Sequence, residues 1–185
     1  MDIFIPNEIS NQFVTFVVDK ELTLQANKFL LCSKSKVFKA MFECGLKESE
    51  TNEIEITDIR YDILKELLSF VQTGHLSKKL EEINIDTIFE LFITADKYDI
   101  ENLKLKCELY LITNTTIENV VEHLKIAHLN NGTILEKYAK EFIKLYFKDI
   151  MDTPNFITLM QKYPELLIQI KNIELENTEI SCTYN

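Results

Sequence analysis

The stretch that most constrains this fold is Gln25–Phe42, QANKFLLCSKSKVFKAMF. Upstream of it, apolar and polar residues alternate. Within it, the apolar residues move to helical spacing. A chain whose apolar period changes in this way must pass from strand to helix there. The apolar positions are Phe29, Leu30, Leu31, Val37, Phe38, Met41 and Phe42, with Lys34, Lys36 and Lys39 left for the outer face. The stretch reads as a compact pair of helices fed by a hairpin, and it carries no chemistry of its own.

The flanks extend this pattern. Residues 13–25 read as a β-hairpin, FVTFVVD and LTLQ flanking Asp19-Lys20-Glu21, with no Gly or Asn to define the turn type. Residues 43–52 read as a polar loop with one exposed apolar residue, Leu46. EIEIT (53–57) alternates as a short strand, and Asp58 is placed to cap a helix over 59–73 that stops at Gly74. Further helices are predicted over 85–97 and 100–112, the latter capped by Asp96 or Asp99. Three more follow over 117–129, over 135–150 and from Thr153-Pro154 to about Ile170. Asn130-Asn131-Gly132 is the strongest turn signal. Few strands come first and many helices follow. The order predicts an α+β domain, a small sheet covered by helices, and then an all-helical extension.

Composition narrows the function. With 46% hydrophobic residues in 185, a core is within reach. The net charge of −10 argues against nucleic acid, which needs clustered Lys and Arg. No apolar run approaches the roughly 20 residues of a membrane span, and no secretory signal opens the chain, so the expected setting is cytosolic or nuclear. The four cysteines at 32, 44, 107 and 182 have neither metal-knuckle nor redox spacing. Cys32 and Cys107 read as small core residues.

A search for chemistry finds none. His123 and His128 lie five apart on one helix, about 140° around its axis, and share no ligand face. His75 reads as a loop residue. Glu53 and Glu55 share a polar strand face without the burial that splits a catalytic pair. No glycine-rich phosphate loop is present. The expectation is a binding module, not an enzyme, with no metal, cofactor or small-molecule substrate. Exposed apolar residues then become the functional signal. Leu46 either tucks back onto Met41 or Phe42 or faces a partner. Ile3, Phe4, Ile5 and Ile9 dock on the chain's own core or on a second subunit. In the helix over 117–129, the stripe Ile117, Val120, Val121, Leu124 and Ala127 points inward.

Taken together, FVTFVVD…LTLQANKFLLCSKSKVFKAMF, EIEITDI, FVQTG and ADKYDIENLKLKCELYL resemble a BTB/POZ domain, and ADKYDIENLK looks like the speckle-type POZ branch. TTIENVVEHLKIAHLNNGTILEKYAKEFI resembles the cullin-binding helical extension and the start of a BACK domain. The resemblance covers about residues 13–170. It implies an N-terminal segment at 1–12 that could serve dimerisation, a BTB/POZ domain at 13–113 and a helical extension and partial BACK at 114–172; the tail at 173–185, without periodicity, reads as flexible. The resemblance also implies a homodimer, or a heterodimer with other BTB proteins, and recruitment of a cullin-3 type scaffold of a ubiquitin ligase. The family's contact is a hydrophobic residue, any residue, then Glu; Leu46-Lys47-Glu48 fits it. By that likeness Leu46 would anchor in the partner and Glu48 would orient the loop, while Ile117, Val120, Val121 and Leu124 would pack and widen the contact. Phe4, Ile5 and Ile9 would fall at the dimer interface. The sequence departs from the family at three places: Phe13, Val14 and Thr15 stand where an Asp usually opens the first strand, Asn27 where a His precedes the Lys of the first helix, and Gln72 where an aromatic precedes Thr-Gly. Neither a MATH domain nor a Kelch propeller, the usual substrate readers of such adaptors, fits the sequence. An oligomerisation scaffold or transcriptional co-regulator that does not touch cullin is the alternative reading.

Overall fold

A computed structural model describes residues 12–44 and 47–173. The chain divides into two compact units, Met1–Tyr110 and Leu111–Asn185. Phe4, Ile5, Ile9, Leu46 and the tail from residue 174 lie outside the described residues.

The first unit opens with a hairpin, β1 (Phe13–Val18) and β2 (Leu22–Asn27), antiparallel with Phe13 opposite Asn27 and Val18 opposite Leu22. At the turn, Asp19 and Lys20 both take positive φ, 51° and 66°. Left-handed backbone closes the turn without a glycine, a conformation that Asp tolerates and Lys adopts at a cost. β3 (Glu53–Ile56) pairs parallel to β1, giving the order β2-β1-β3. Alternation puts Val14, Phe16, Val18, Ala26, Ile54 and Ile56 on the buried face, while Glu53 and Glu55 stay out.

The 25–42 stretch splits as its spacing suggests. β2 runs on to Asn27, whose side chain caps α1 (Lys28–Lys34) by accepting from Leu30 N at 3.1 Å. Ser35 breaks the helix at φ −140° and caps α2 (Lys36–Glu43) by accepting from Phe38 N at 3.0 Å. Its hydroxyl donates to Tyr98 O at 2.5 Å. Phe38 lies between the edge of Phe16, 5.7 Å away, and the face of Tyr98, 4.6 Å away. Burial of Tyr98 pushes its phenol up to about 12. Phe29 is the exception in this stretch: it is 77% exposed.

Several boundaries differ from the sequence reading. The expected loop at 43–52 contains a helical turn, α3 (Lys47–Thr51), in which Glu48 and Glu50 favour the start; Asn52 at φ 52° ends it. Asp58 does not cap the next helix. Its carboxylate binds Lys97 Nζ at 2.7 Å, and α4 (Tyr61–Thr73) starts after Arg60 with no side-chain cap. Gly74 ends α4 at φ 79°, donating to Phe70 O at 2.8 Å. A short 3-10 turn (Leu80–Glu82) precedes α5 (Ile85–Lys97), whose bounds match the periodicity. α6 is Glu101–Thr113; Asp96, on α5, holds Lys104 Nζ at 2.7 Å. α5 packs on α4, and α4 on α1 and β2.

The second unit is helical. α7 (Val120–Leu129) starts three residues later than expected, because Thr116 N donates to the Asn119 side chain at 2.7 Å and holds residues 116–119 in a turn. Asn131 at φ 52° and Gly132 N, donating to Ala127 O at 2.8 Å, close the helix. The helix expected over 135–150 begins earlier and is broken at Tyr146 into α8 (Thr133–Leu145) and α9 (Phe147–Ile150). Thr153 caps α10 (Pro154–Lys162) as its sequence suggests. The single helix expected to Ile170 is interrupted at Pro164, which opens α11 (Pro164–Asn172). Proline lacks the N–H and disfavours helix in the residue before it, and Tyr163 accordingly sits at φ −132°, ψ 70°. α8 packs on α7 and α11, and α10 on α7 and α11, around Val120, Leu124, Ala139, Ile143, Leu166 and Ile170.

Candidate partner-binding surface

The expected partner residues fall in three places. Leu46 lies outside the described residues; Glu48, two positions on, is half-buried in the first turn of α3. α3 packs on α2 and on β3, and its last turn is tied by Asn52 N donating to Glu48 O at 3.0 Å. Lys28 Nζ donates to the Asn52 side chain at 2.7 Å, so the start of α1 fixes the end of this segment. The charged turn after α2 is therefore held by the strand-to-helix hub.

Ile117, Val120, Val121 and Leu124 belong to the second unit. Val120, Val121 and Leu124 are buried in its core, and Ile117 packs partly buried against it. The inward orientation read from the sequence holds. A residue that touches solvent so little offers a partner little surface, so of these four Ile117 alone has surface to give. Phe4, Ile5 and Ile9 fall outside the described residues. In the sequence, Phe29 is one of the apolar residues of the hub and not a contact candidate. It instead stands out into solvent on α1, beside a cleft of about 400 Å³ lined by Gln12, Asn27, Lys28 and Cys32. Helical spacing made it one of several apolar positions; only packing separates it from Leu31, which is fully buried.

Among the described residues the titratable groups show no catalytic pairing. His123 is 1% exposed, and its Nδ1 lies 3.0 Å from Thr115 Oγ1. Burial lowers it to about 4, so the ring is neutral at physiological pH. His128 sits between two carboxylates of its own unit, Glu136 at 3.5 Å and Glu165 at 3.6 Å, with its ring edge-on to Tyr163. His75 is exposed in the connection after α4, as expected. Burial drives the Cys107 thiol up to about 12, an inert core group. Cys32, expected in the core, is only half-buried. Among the described residues no group of three or more His, Cys, Asp or Glu is placed to hold a metal ion, and no helix is long and apolar enough to cross a membrane.

Comparison with known proteins decides the family. The family model of the BTB/POZ domain matches residues 9–115, more than half of the chain. The chain belongs to the BTB/POZ domain family. Its α+β fold, a three-stranded sheet among many helices with a helical C-terminal extension, agrees with that membership. Two solved structures are similar to it. One is the BTB domain of zebrafish PATZ1, at 23% identity over 55% of this chain and 75% of that one, with a TM-score of 0.45. The other is the BTB (Tramtrack and Bric a brac) domain of human Gigaxonin, at 20% identity over 60% of this chain and 97% of that one, also with a TM-score of 0.45. BTB/POZ domains are protein-interaction modules, and so is this chain.

Two departures from the BTB/POZ pattern now have local explanations. Asn27, where the family prefers His, is the cap of α1. Gln72, where an aromatic is common, donates through Nε2 to Gln25 O at 3.3 Å, joining the end of α4 to β2.

Proposed function

We propose that this BTB/POZ chain is an adaptor or modulator of a cullin-3 type ubiquitin ligase, of the speckle-type POZ branch, with 114–172 acting as the cullin-binding extension and partial BACK domain. The observation that carries this reading is Leu46-Lys47-Glu48 between α2 and β3 of a BTB/POZ domain, with Glu48 opening a helical turn that the hub braces. Leu46 enters an apolar groove of the partner; Glu48 orients the turn or accepts a hydrogen bond. Ile117, in the turn before α7, adds contact from the extension, and buried Val120, Val121 and Leu124 stiffen the helix that follows it. A few such anchors carry most of an interface's free energy, about 2 kcal/mol or more each. Dimerisation through Phe4, Ile5 and Ile9 would make the adaptor bivalent.

The test is capture of the purified cullin-3 N-terminal region on the immobilised protein. The wild type retains it, and Leu46→Asp retains at least tenfold less, about 1.4 kcal/mol. No capture by the wild type ends the adaptor reading.

A second reading, an oligomerisation scaffold that leaves cullin alone, is favoured by one observation, the exposure of Phe29. A bare aromatic ring next to a cleft suits a second BTB subunit, either this chain or a relative. Light scattering that gives a dimer, together with no cullin capture, would select this reading.

A further inference from the structure

Lys78, Lys79 and Lys106 carry no carboxylate ion pair among the described residues, yet they line one cleft of about 470 Å³ in the first unit. Lys78 and Lys79 lie on the connection between α4 and α5; Lys106 is exposed on α6. Half-buried Leu76 and Leu80 share the cleft, with Glu81 as its only acid. The chain has 30 acidic and 20 basic residues, so partners for a lysine are plentiful. Lys97 and Lys104 are two lysines that do pair, holding Asp58 and Asp96 at 2.7 Å; what sets Lys78, Lys79 and Lys106 apart is that they line one cleft. Three lysines against one glutamate raise a local positive potential on an otherwise acidic surface.

The cleft is also built. Ser77 N donates to Glu66 Oε2 at 3.0 Å and the Ser77 hydroxyl binds the same carboxylate, so the acid beneath this connection is already engaged. His75 N donates to Thr73 Oγ1 at 3.1 Å, and Glu82 N to Lys79 O at 3.0 Å. Lys106 Nζ is held 5.8 Å from the centre of the Phe70 ring. An ordered connection and a placed Lys106 lower what binding must spend in conformational entropy.

We propose that this cleft docks an acidic linear segment of a partner protein, its carboxylates pairing with Lys78, Lys79 and Lys106 and one aliphatic side chain meeting Leu76 and Leu80. Charge complementarity selects this occupant. A long polyanion such as RNA would gain only three phosphate contacts and would meet the repulsion of the −10 chain, whereas a short segment within roughly one Debye length, about 8–10 Å, senses mainly the cleft. The proposal does not depend on cullin binding.

The test is fluorescence anisotropy on the full chain. The probe is a labelled dodecapeptide of glutamate and aspartate with one central leucine; its control replaces the acids with glutamine and asparagine. The wild type binds the acidic peptide and not the amide control, less tightly as salt rises. The triple variant Lys78→Glu, Lys79→Glu, Lys106→Glu weakens binding at least about tenfold. A triple with the same charge change elsewhere, Lys20→Glu, Lys39→Glu, Lys148→Glu, weakens it less than about threefold. Should the cleft variant melt early, alanine at the same three positions gives the same ranking. No binding by the wild type, equal losses in both triples, or tighter binding of a twelve-nucleotide single strand overturns the proposal.

Discussion

At the scale of single residues, conformation and burial set the measurable effects. Lys20 holds φ 66° in the β1–β2 turn. Left-handed backbone costs an L-residue about 1–2 kcal/mol, and glycine's greater chain entropy takes back about 0.5–1. Lys20→Gly should therefore raise stability by about 0.5–1 kcal/mol, read as a higher denaturant midpoint with an unchanged slope. His123 gives a pH signature. Burial lowers its folded-state value to about 4, against 6.5 when unfolded. Between these values the unfolded chain binds the proton and the folded chain does not. Its contribution is whole above pH 6.5 and is lost as pH falls toward 4, with a slope of at most about 1.4 kcal/mol per pH unit. His123→Gln should flatten stability across that window; an unchanged profile would show that another group titrates there.

At the scale of elements, the junction between α1 and α2 is the most exacting point. Ser35, 3% exposed, caps α2 and donates to Tyr98 O. Ser35→Ala removes a cap worth about 1 kcal/mol and leaves a buried carbonyl short of a donor, so about 2 kcal/mol of stability should go. Chemical denaturation measures it, and Ser35→Thr should recover part of the loss. This junction was legible in the sequence, because the period of the apolar residues changes there. So were α5, the Asn130-Asn131-Gly132 turn and the Thr153-Pro154 start, each marked by a residue with a local physical role. The parallel pairing of β3 with β1 was not legible, since nothing in EIEI names a strand some forty residues upstream. The α8–α9 break at Tyr146 has no proline or glycine to announce it. Pro164 did announce the α10–α11 break, and it was overridden by the apolar run around it. In the candidate site, the inward stripe of α7 was readable from spacing. The exposure of Phe29 was not, because an amphipathic pattern counts apolar residues and cannot tell which neighbour covers them.

At the scale of the molecule, a BTB/POZ unit and a helical unit are each packed around their own buried residues, and the titratable groups in neither form a catalytic constellation among the described residues. What distinguishes the surface is apolar and electrostatic: Phe29 on α1, the charged turn carrying Glu48, and the lysine cleft. Under the adaptor reading, Phe29→Asp should leave cullin affinity per chain within about threefold; under the second reading it should shift the light-scattering mass toward monomer. The most direct measurement is a calorimetric titration of the cullin-3 N-terminal region into the wild type and into Leu46→Asp. The account predicts a saturable isotherm with one cullin per chain for the wild type and at least tenfold weaker binding for the variant, with both proteins melting at the same temperature. A flat wild-type titration, or equal affinity for the two proteins, would contradict it.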